Sequence, residues 1–234
     1  VAARRSLAAL LLALTAPCAA RAFPPYRSTD AGTAEPWTLE GRLGLIRIRR
    51  DAGENEYTSP LLRANLGFPH HVELVTELEY LPAEGRLGDA VIGSKWIPLV
   101  DVASLGVEVL ALLPVSGDGG AGIESSLLAT IRGGELVRVH VNVAGFYDAR
   151  PPSAEWGWKG GAIGELRLGV FRPGIEIFAK RIVEEPAQLL AGPGLIVELG
   201  PVDVRSGVHV GLTDEAADLT TSLWVTGALP LASR

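Results

Sequence analysis

Apolar residues recur at every second position along most of this chain, the period of a strand with one apolar and one polar face. Val137, Val139, Val141 and Val143 alternate with Arg138, His140, Asn142 and Ala144. Val202, Val204, Val208 and Val210 alternate with Asp203, Arg205, Gly207 and His209. The same period runs from Trp37 to Leu45 and, with Glu73, Glu77 and Glu79 on its polar side, from Val72 to Tyr80. Weaker versions cover Leu61 to Phe68, Ala90 to Trp96, Leu105 to Leu113, Ile123 to Ile131, Ala162 to Val170, Ile175 to Ala179, Leu195 to Leu199 and Leu219 to Leu229. This pattern predicts about twelve strands, each near the length that a tilted membrane strand requires. No helix of length is predicted beyond the N-terminal stretch.

The predicted connections alternate between long and short. Arg50 to Thr58, Pro82 to Arg86, Pro114 to Ala121, Asp148 to Gly160 and Glu185 to Pro193 are the longer ones. Between them lie Pro69-His70, Pro98 to Asp101, Gly133-Gly134-Glu135, Arg172-Pro173-Gly174 and Gly200-Pro201. Outer-membrane barrels have this asymmetry, with tight periplasmic turns at one end and longer loops outside. The expectation is an all-β fold: a closed, antiparallel, up-and-down transmembrane β-barrel in the outer membrane.

The first residues read as a targeting segment. Arg4 and Arg5 precede an apolar run from Leu7 to Ala16, and Ala20-Arg21-Ala22 supplies small residues for cleavage before Phe23. The expected organisation is a signal peptide over 1–22, a periplasmic segment over 23–36 and a barrel over 37–234. Cys18, the only cysteine, falls in the removed part, and Pro17 before it disfavours lipidation. Composition adds one exclusion. Twenty-one basic residues against 27 acidic ones, scattered along the chain, argue against a nucleic-acid partner. The expected partners are outer-membrane lipid, the machinery that assembles such barrels and a small-molecule solute, with no cofactor and no metal.

A resemblance supports this reading. Tyr26-Arg27-Ser28-Thr29-Asp30-Ala31-Gly32-Thr33-Ala34-Glu35, followed by a strand from Trp37, resembles the opening of the outer-membrane proteins of the phenol meta-cleavage degradation pathway (the MetA-pathway of phenol degradation family). Leu61 to Leu81, then Gly88-Asp89-Ala90-Val91-Ile92-Gly93-Ser94-Lys95-Trp96, is similar to that family's second to fourth strands. Leu113-Pro114-Val115-Ser116-Gly117-Asp118 is similar to its next hairpin. The sequence departs from the family where Asp30 stands alone instead of in an acidic pair, and where Ala228 to Arg234 lacks a terminal aromatic. The resemblance implies a barrel concerned with small, often aromatic or hydrophobic compounds, and carries over no catalytic residue.

Charges on the strands must avoid lipid, where an Arg or Lys at the midplane costs roughly 2–4 kcal/mol. Glu73, Glu77, Asp89, Lys95, Glu108, Arg138, His140, Asn142, Glu165, Arg167, Asp203 and Arg205 are therefore the candidate lumen lining. Two functions fit such a lining: a polar channel, or a lumen filled by cross-strand ion pairs in a structural barrel whose outer loops do the work. A secreted soluble barrel holding an apolar ligand would invert the faces. Trp37, Tyr80, Trp96, Phe146, Tyr147, Trp156, Trp158 and Phe171 are expected in interfacial girdles, with Trp156 and Trp158 in the longest loop as an alternative stacking pair. His70-His71 is expected as an exposed turn, since adjacent strand residues face opposite ways and chelate poorly. Ser126, His140 and Asn142 could neighbour one another as in a barrel hydrolase, but such spacing arises freely in a polar lumen. Asp51 and Glu54 to Glu56 could offer oxygen ligands to Ca²⁺, with a solvated loop as the plainer reading.

Overall fold

The computed structural model describes residues 25–49, 55–115, 119–151 and 153–231. Among them twelve strands close into one antiparallel barrel, each paired with its neighbours in sequence and β1 with β12. They are β1 Thr38–Arg49, β2 Asn55–Phe68, β3 Val72–Leu81, β4 Arg86–Leu99, β5 Ala103–Leu113 and β6 Gly122–Gly133. The second half comprises β7 Val137–Asp148, β8 Glu155–Leu166, β9 Phe171–Ile182, β10 Gln188–Leu199, β11 Val202–Gly211 and β12 Leu219–Pro230. Closure pairs every ladder and leaves no open edge, which a lipid-facing sheet requires. The short connections gather at one end and the longer ones at the other, so the expected asymmetry holds.

The two faces of the wall separate cleanly. Val137, Val139, Val141 and Val143 point outward and are exposed, as are Leu105, Val107 and Val109 on β5 and Val208 and Val210 on β11. Inside, Glu73, Lys95, Glu108, His140, Glu165, Arg172, Glu176, Asp203 and Arg205 are buried. A soluble barrel would need the reverse, so that reading is overturned. This is a barrel of the outer-membrane type, apolar toward lipid and polar within. Exposed Trp37, Trp96 and Phe171 mark the short-turn end, and Tyr57, Tyr147, Trp156 and Trp158 the opposite end. Aromatic rings at these two levels suit the headgroup zones.

Several local expectations are corrected. Arg172, Pro173 and Gly174 do not form a turn; they open β9, and the reversal lies one step earlier, around Gly169 at φ +62°. The Pro-Gly pair imitates a turn signal, but its glycine serves another need, described below. Trp156 and Trp158 lie on β8 with outward side chains, so they are girdle residues and not a loop cluster. Phe146 faces the lumen, on the same side of β7 as His140 and Asn142. His70 and His71 form the exposed turn expected, both at positive φ (62° and 57°). The proposed signal peptide with Cys18, and the Asp51 and Glu54 oxygen ligands, lie outside the described residues.

The largest correction concerns the segment expected on the periplasmic side. Most of its described part, residues 25–34, lies inside the barrel, and Glu35 and Pro36 are exposed where it leads into β1. Tyr26, Ser28, Thr29, Asp30, Ala31, Thr33 and Ala34 are all buried.

Candidate functional site

The lumen has two halves. In the short-turn half, the chain preceding β1 crosses the barrel and is held by side chains from strands on every side. Entering beside β2 and β3, the Ala34 N–H donates to the Glu73 carboxylate, which also accepts from Asn65 Nδ2 at 2.8 Å. The Ala31 N–H donates to Thr130 Oγ1 at 2.9 Å. Asn142 donates to the Thr29 carbonyl at 2.8 Å. Lys95, fully buried, reaches Thr29 Oγ1 at 3.2 Å and the Gly32 carbonyl at 3.3 Å. On the far wall the Glu176 carboxylate accepts the Ser28 and Arg27 backbone N–H groups at 2.7 and 2.8 Å. His209 Nε2 stands 2.8 Å from the same carboxylate.

These contacts follow a simple rule. A short segment with no regular structure carries unpaired N–H and C=O groups, and burial leaves them costly unless side chains supply partners. The inward polar residues do so. Inward glycines make the room: a Cβ on Gly194 would lie 2.5 Å from the Tyr26 ring and 2.8 Å from Pro25, and one on Gly174 would lie within 2.3 Å of the Tyr26 hydroxyl. The Gly174 that imitates a turn residue is thus a notch for the plug.

Around the plug the wall is cross-linked by buried ion pairs. Arg172 donates to both Glu165 oxygens at 2.8 Å, and to Glu198 at 3.2 Å. Arg205 meets Asp203 at 2.8 Å, and Arg42 meets Glu40 at 3.0 Å. Planar guanidinium groups suit such two-pronged contacts.

The other half is open. A cavity of about 480 Å³ is floored by Tyr26, Arg27, Ser28 and Thr29 and walled by the long-loop halves of the strands. Its lining mixes charge with apolar surface. Arg63 reaches Glu77 at 3.3 Å and Glu108 at 3.5 Å, and Lys159 reaches Glu124 at 2.6 Å. Arg150 descends from the β7–β8 loop to Asp89 at 3.0 Å and Asp148 at 2.6 Å. The hydrogen bond to Asp148 raises the Arg150 guanidinium above its usual pKa, so this link stays charged. Phe146, Phe178, Leu110, Leu112 and Trp224 supply the apolar share.

The lumen candidates therefore divide. Glu77, Asp89, Glu108 and Asn142 line the vestibule, with Asn142 also touching the plug. Glu73 and Lys95 hold the plug directly, and His140 lies 2.9 Å from the threonine that does so. Glu165, Asp203 and Arg205 cross-link the filled half, and Arg138 faces inward on β7 beside Glu165 in register. Arg167 is the exception: it lies beyond the end of β8, partly exposed at the rim, 3.7 Å from Glu198. Ser126, His140 and Asn142 are not assembled as a catalytic group, since His140 engages Thr130 and Asn142 engages Thr29. Sequence reasoning missed Arg172, hidden in its Pro-Gly context, and the whole plug. The plug's one available signal was a run of small polar residues leading into a strand.

No protein-family model and no curated protein matches the chain. Among solved structures its fold is similar to that of KdgM porin, with TM-score 0.61 and 9% identity over 81% of this chain and 98% of that one. NanC porin is similar with TM-score 0.54 and 9% identity, again over 81% and 98%. At this identity the likeness is one of fold.

Proposed function

We propose that this protein is an outer-membrane channel for small solutes whose lumen is closed by its own N-terminal segment. The observation that carries this reading is the vestibule, whose floor is not part of the wall. Its volume of about 480 Å³ falls in the range that accommodates small molecules. Among the described residues, the other groups of the filled half are side chains of the strands and cannot leave without unfolding the barrel. Residues 25–36 belong to no strand; they are held by side-chain contacts, hydrogen bonds above all, and can withdraw toward the short-turn end. The shared fold with two porins agrees with a channel role. The resemblance to the phenol-pathway proteins suggests aromatic or hydrophobic compounds as the cargo, and the apolar share of the vestibule lining suits that class. Lipid and the barrel-assembly machinery are the partners this role implies.

A second reading has one observation in its favour. The ion pairs of the filled half would cross-link a purely structural barrel equally well. Conductance in planar bilayers separates the two. The test pairs Ser28→Cys with Gly161→Cys, since a Cβ on Gly161 would lie 2.1 Å from the Ser28 hydroxyl. Channel function predicts silence while the bridge is oxidised and current after reduction. Silence in both states, with the barrel intact, would favour the structural reading.

A further inference from the structure

The vestibule is electrically polarised, and its basic side contains an arrangement that the fold alone does not account for. Lys159 on β8 and Lys180 on β9 are direct cross-strand partners, and both line the cavity. Like charges placed opposite one another destabilise a ladder. Lys159 is compensated by Glu124 at 2.6 Å. Lys180 has no carboxylate within ion-pair distance among the described residues; its ammonium sits 5.2 Å from the centre of the Phe146 ring. The nearby Asp148 accepts three hydrogen bonds from Arg150, two from its guanidinium and one from its backbone N–H. Two residues along the same face of β9, the Arg27 guanidinium lies 5.8 Å from the Phe178 ring. Three cations and two aromatic faces thus share one arc of the wall with two carboxylates, Glu124 and Asp148, the second of them shared with Arg150.

The opposite arc has the reverse balance. Glu77 and Glu79 on β3, Asp89 on β4 and Glu108 on β5 face Arg63 and Arg150 in the cavity, with Lys95 reaching Glu108 from the filled half at 3.9 Å. In a ring of twelve strands, β3 and β4 lie six and five places from β9, and so stand across the lumen from it. A solute on the basic arc is therefore held by opposite charge on one side and repelled as an anion from the other.

We propose that the basic arc is a binding site for small carboxylates bearing an apolar ring or chain, with the carboxylate between Lys159 and Lys180 and the apolar part against Phe146 and Phe178. An anion there removes the repulsion between the paired lysines. The neighbouring rings reward an apolar substituent by removing its surface from water. Neither feature favours a neutral sugar or an organic cation. The inference rests on the channel reading, in which this vestibule is the solute's entrance.

The test is calorimetric titration of the full refolded protein in detergent, with benzoate, acetate, benzyl alcohol and benzylamine as probes. The site predicts benzoate as the tightest of the four. Lys180→Gln is expected to weaken benzoate by about tenfold or more and leave benzyl alcohol unchanged, with Lys180→Arg restoring most of the loss. The slower gel migration of the boiled protein, relative to the unboiled, verifies that each variant is a closed barrel. Benzoate binding no better than benzyl alcohol, tighter benzylamine binding, or an unchanged Lys180→Gln titration would each overturn the proposal. Because binding is read without transport, failure of the channel reading appears separately, as a reduced Ser28→Cys/Gly161→Cys protein that stays silent in bilayers while benzoate still binds the wild type.

Discussion

Glu176→Ala is the most direct way to loosen the plug, because one carboxylate holds two of its backbone amides. The bonds from Ser28 and Arg27 measure 2.7 and 2.8 Å and are buried. Hydrogen bonds to a charged group contribute about 1.5–3 kcal/mol each, so losing both costs the docked plug about 3–6 kcal/mol. At about 1.4 kcal/mol per factor of ten, the docked-to-released ratio falls by about two to four orders of magnitude. His209, 2.8 Å from the same carboxylate, loses its partner as well and makes the docked state worse. Glu176→Gln keeps one acceptor oxygen and should fall between wild type and alanine. Two assays follow the release: bilayer conductance, and labelling of a cysteine at Thr29, in a chain with Cys18→Ser, by a membrane-impermeant maleimide. Wild type should conduct only in rare openings and label slowly; Glu176→Ala should conduct more often and label at least tenfold faster, by the same conversion of about 1.4 kcal/mol per decade. If both variants migrate as closed barrels, yet neither conducts nor labels faster than wild type, the plug is not held by these bonds and the gating argument fails.

Other perturbations test other parts of the structure. Gly194→Val places a side chain into the Tyr26 ring and Pro25, which supply the three nearest atoms, so it should raise conductance in bilayers without lowering barrel yield. Arg172→Ala strands the Glu165 carboxylate in the filled half and should destabilise the barrel by about 3–5 kcal/mol, read as a lower urea midpoint for loss of the fast-migrating band. An unchanged midpoint would mean that the cross-link contributes nothing to stability. Val143→Arg, outward near the middle of β7, should impair folding into lipid vesicles by about 2–4 kcal/mol, whereas Thr at the same position should be tolerated. Equal folding of the two variants would contradict the lipid-facing assignment.

The barrel was legible because its signal is local. Val137 to Val143 alternates without a break, and strand period, apolar face and loop length each need only a few neighbouring residues to be read. Once the faces were assigned, lipid exclusion placed Glu73, Lys95, Glu108 and Asp203 inward without any knowledge of their partners. Reading became unreliable where one local signal imitated another. Pro173-Gly174 resembles a turn, yet the glycine is there because the Tyr26 hydroxyl leaves no room for a Cβ. Trp156 and Trp158 follow a proline-rich stretch that looked like an extended loop, yet both lie on β8.

By itself, the sequence determined the architecture: the number of strands, their alternating faces, the asymmetric ends and the polar interior. The tertiary structure alone decided what the interior does. Ser28 meets Glu176 across 148 residues and Ala34 meets Glu73 across 39, contacts with no period and no spacing rule. Lys159 and Lys180 become direct neighbours only because the chain reverses around Gly169, and a turn displaced by one residue would break that pairing. Strand periodicity is a property of the backbone and survives in any register. The plug and the basic arc depend on which side chains closure brings across the lumen, and closure is a property of the whole ring.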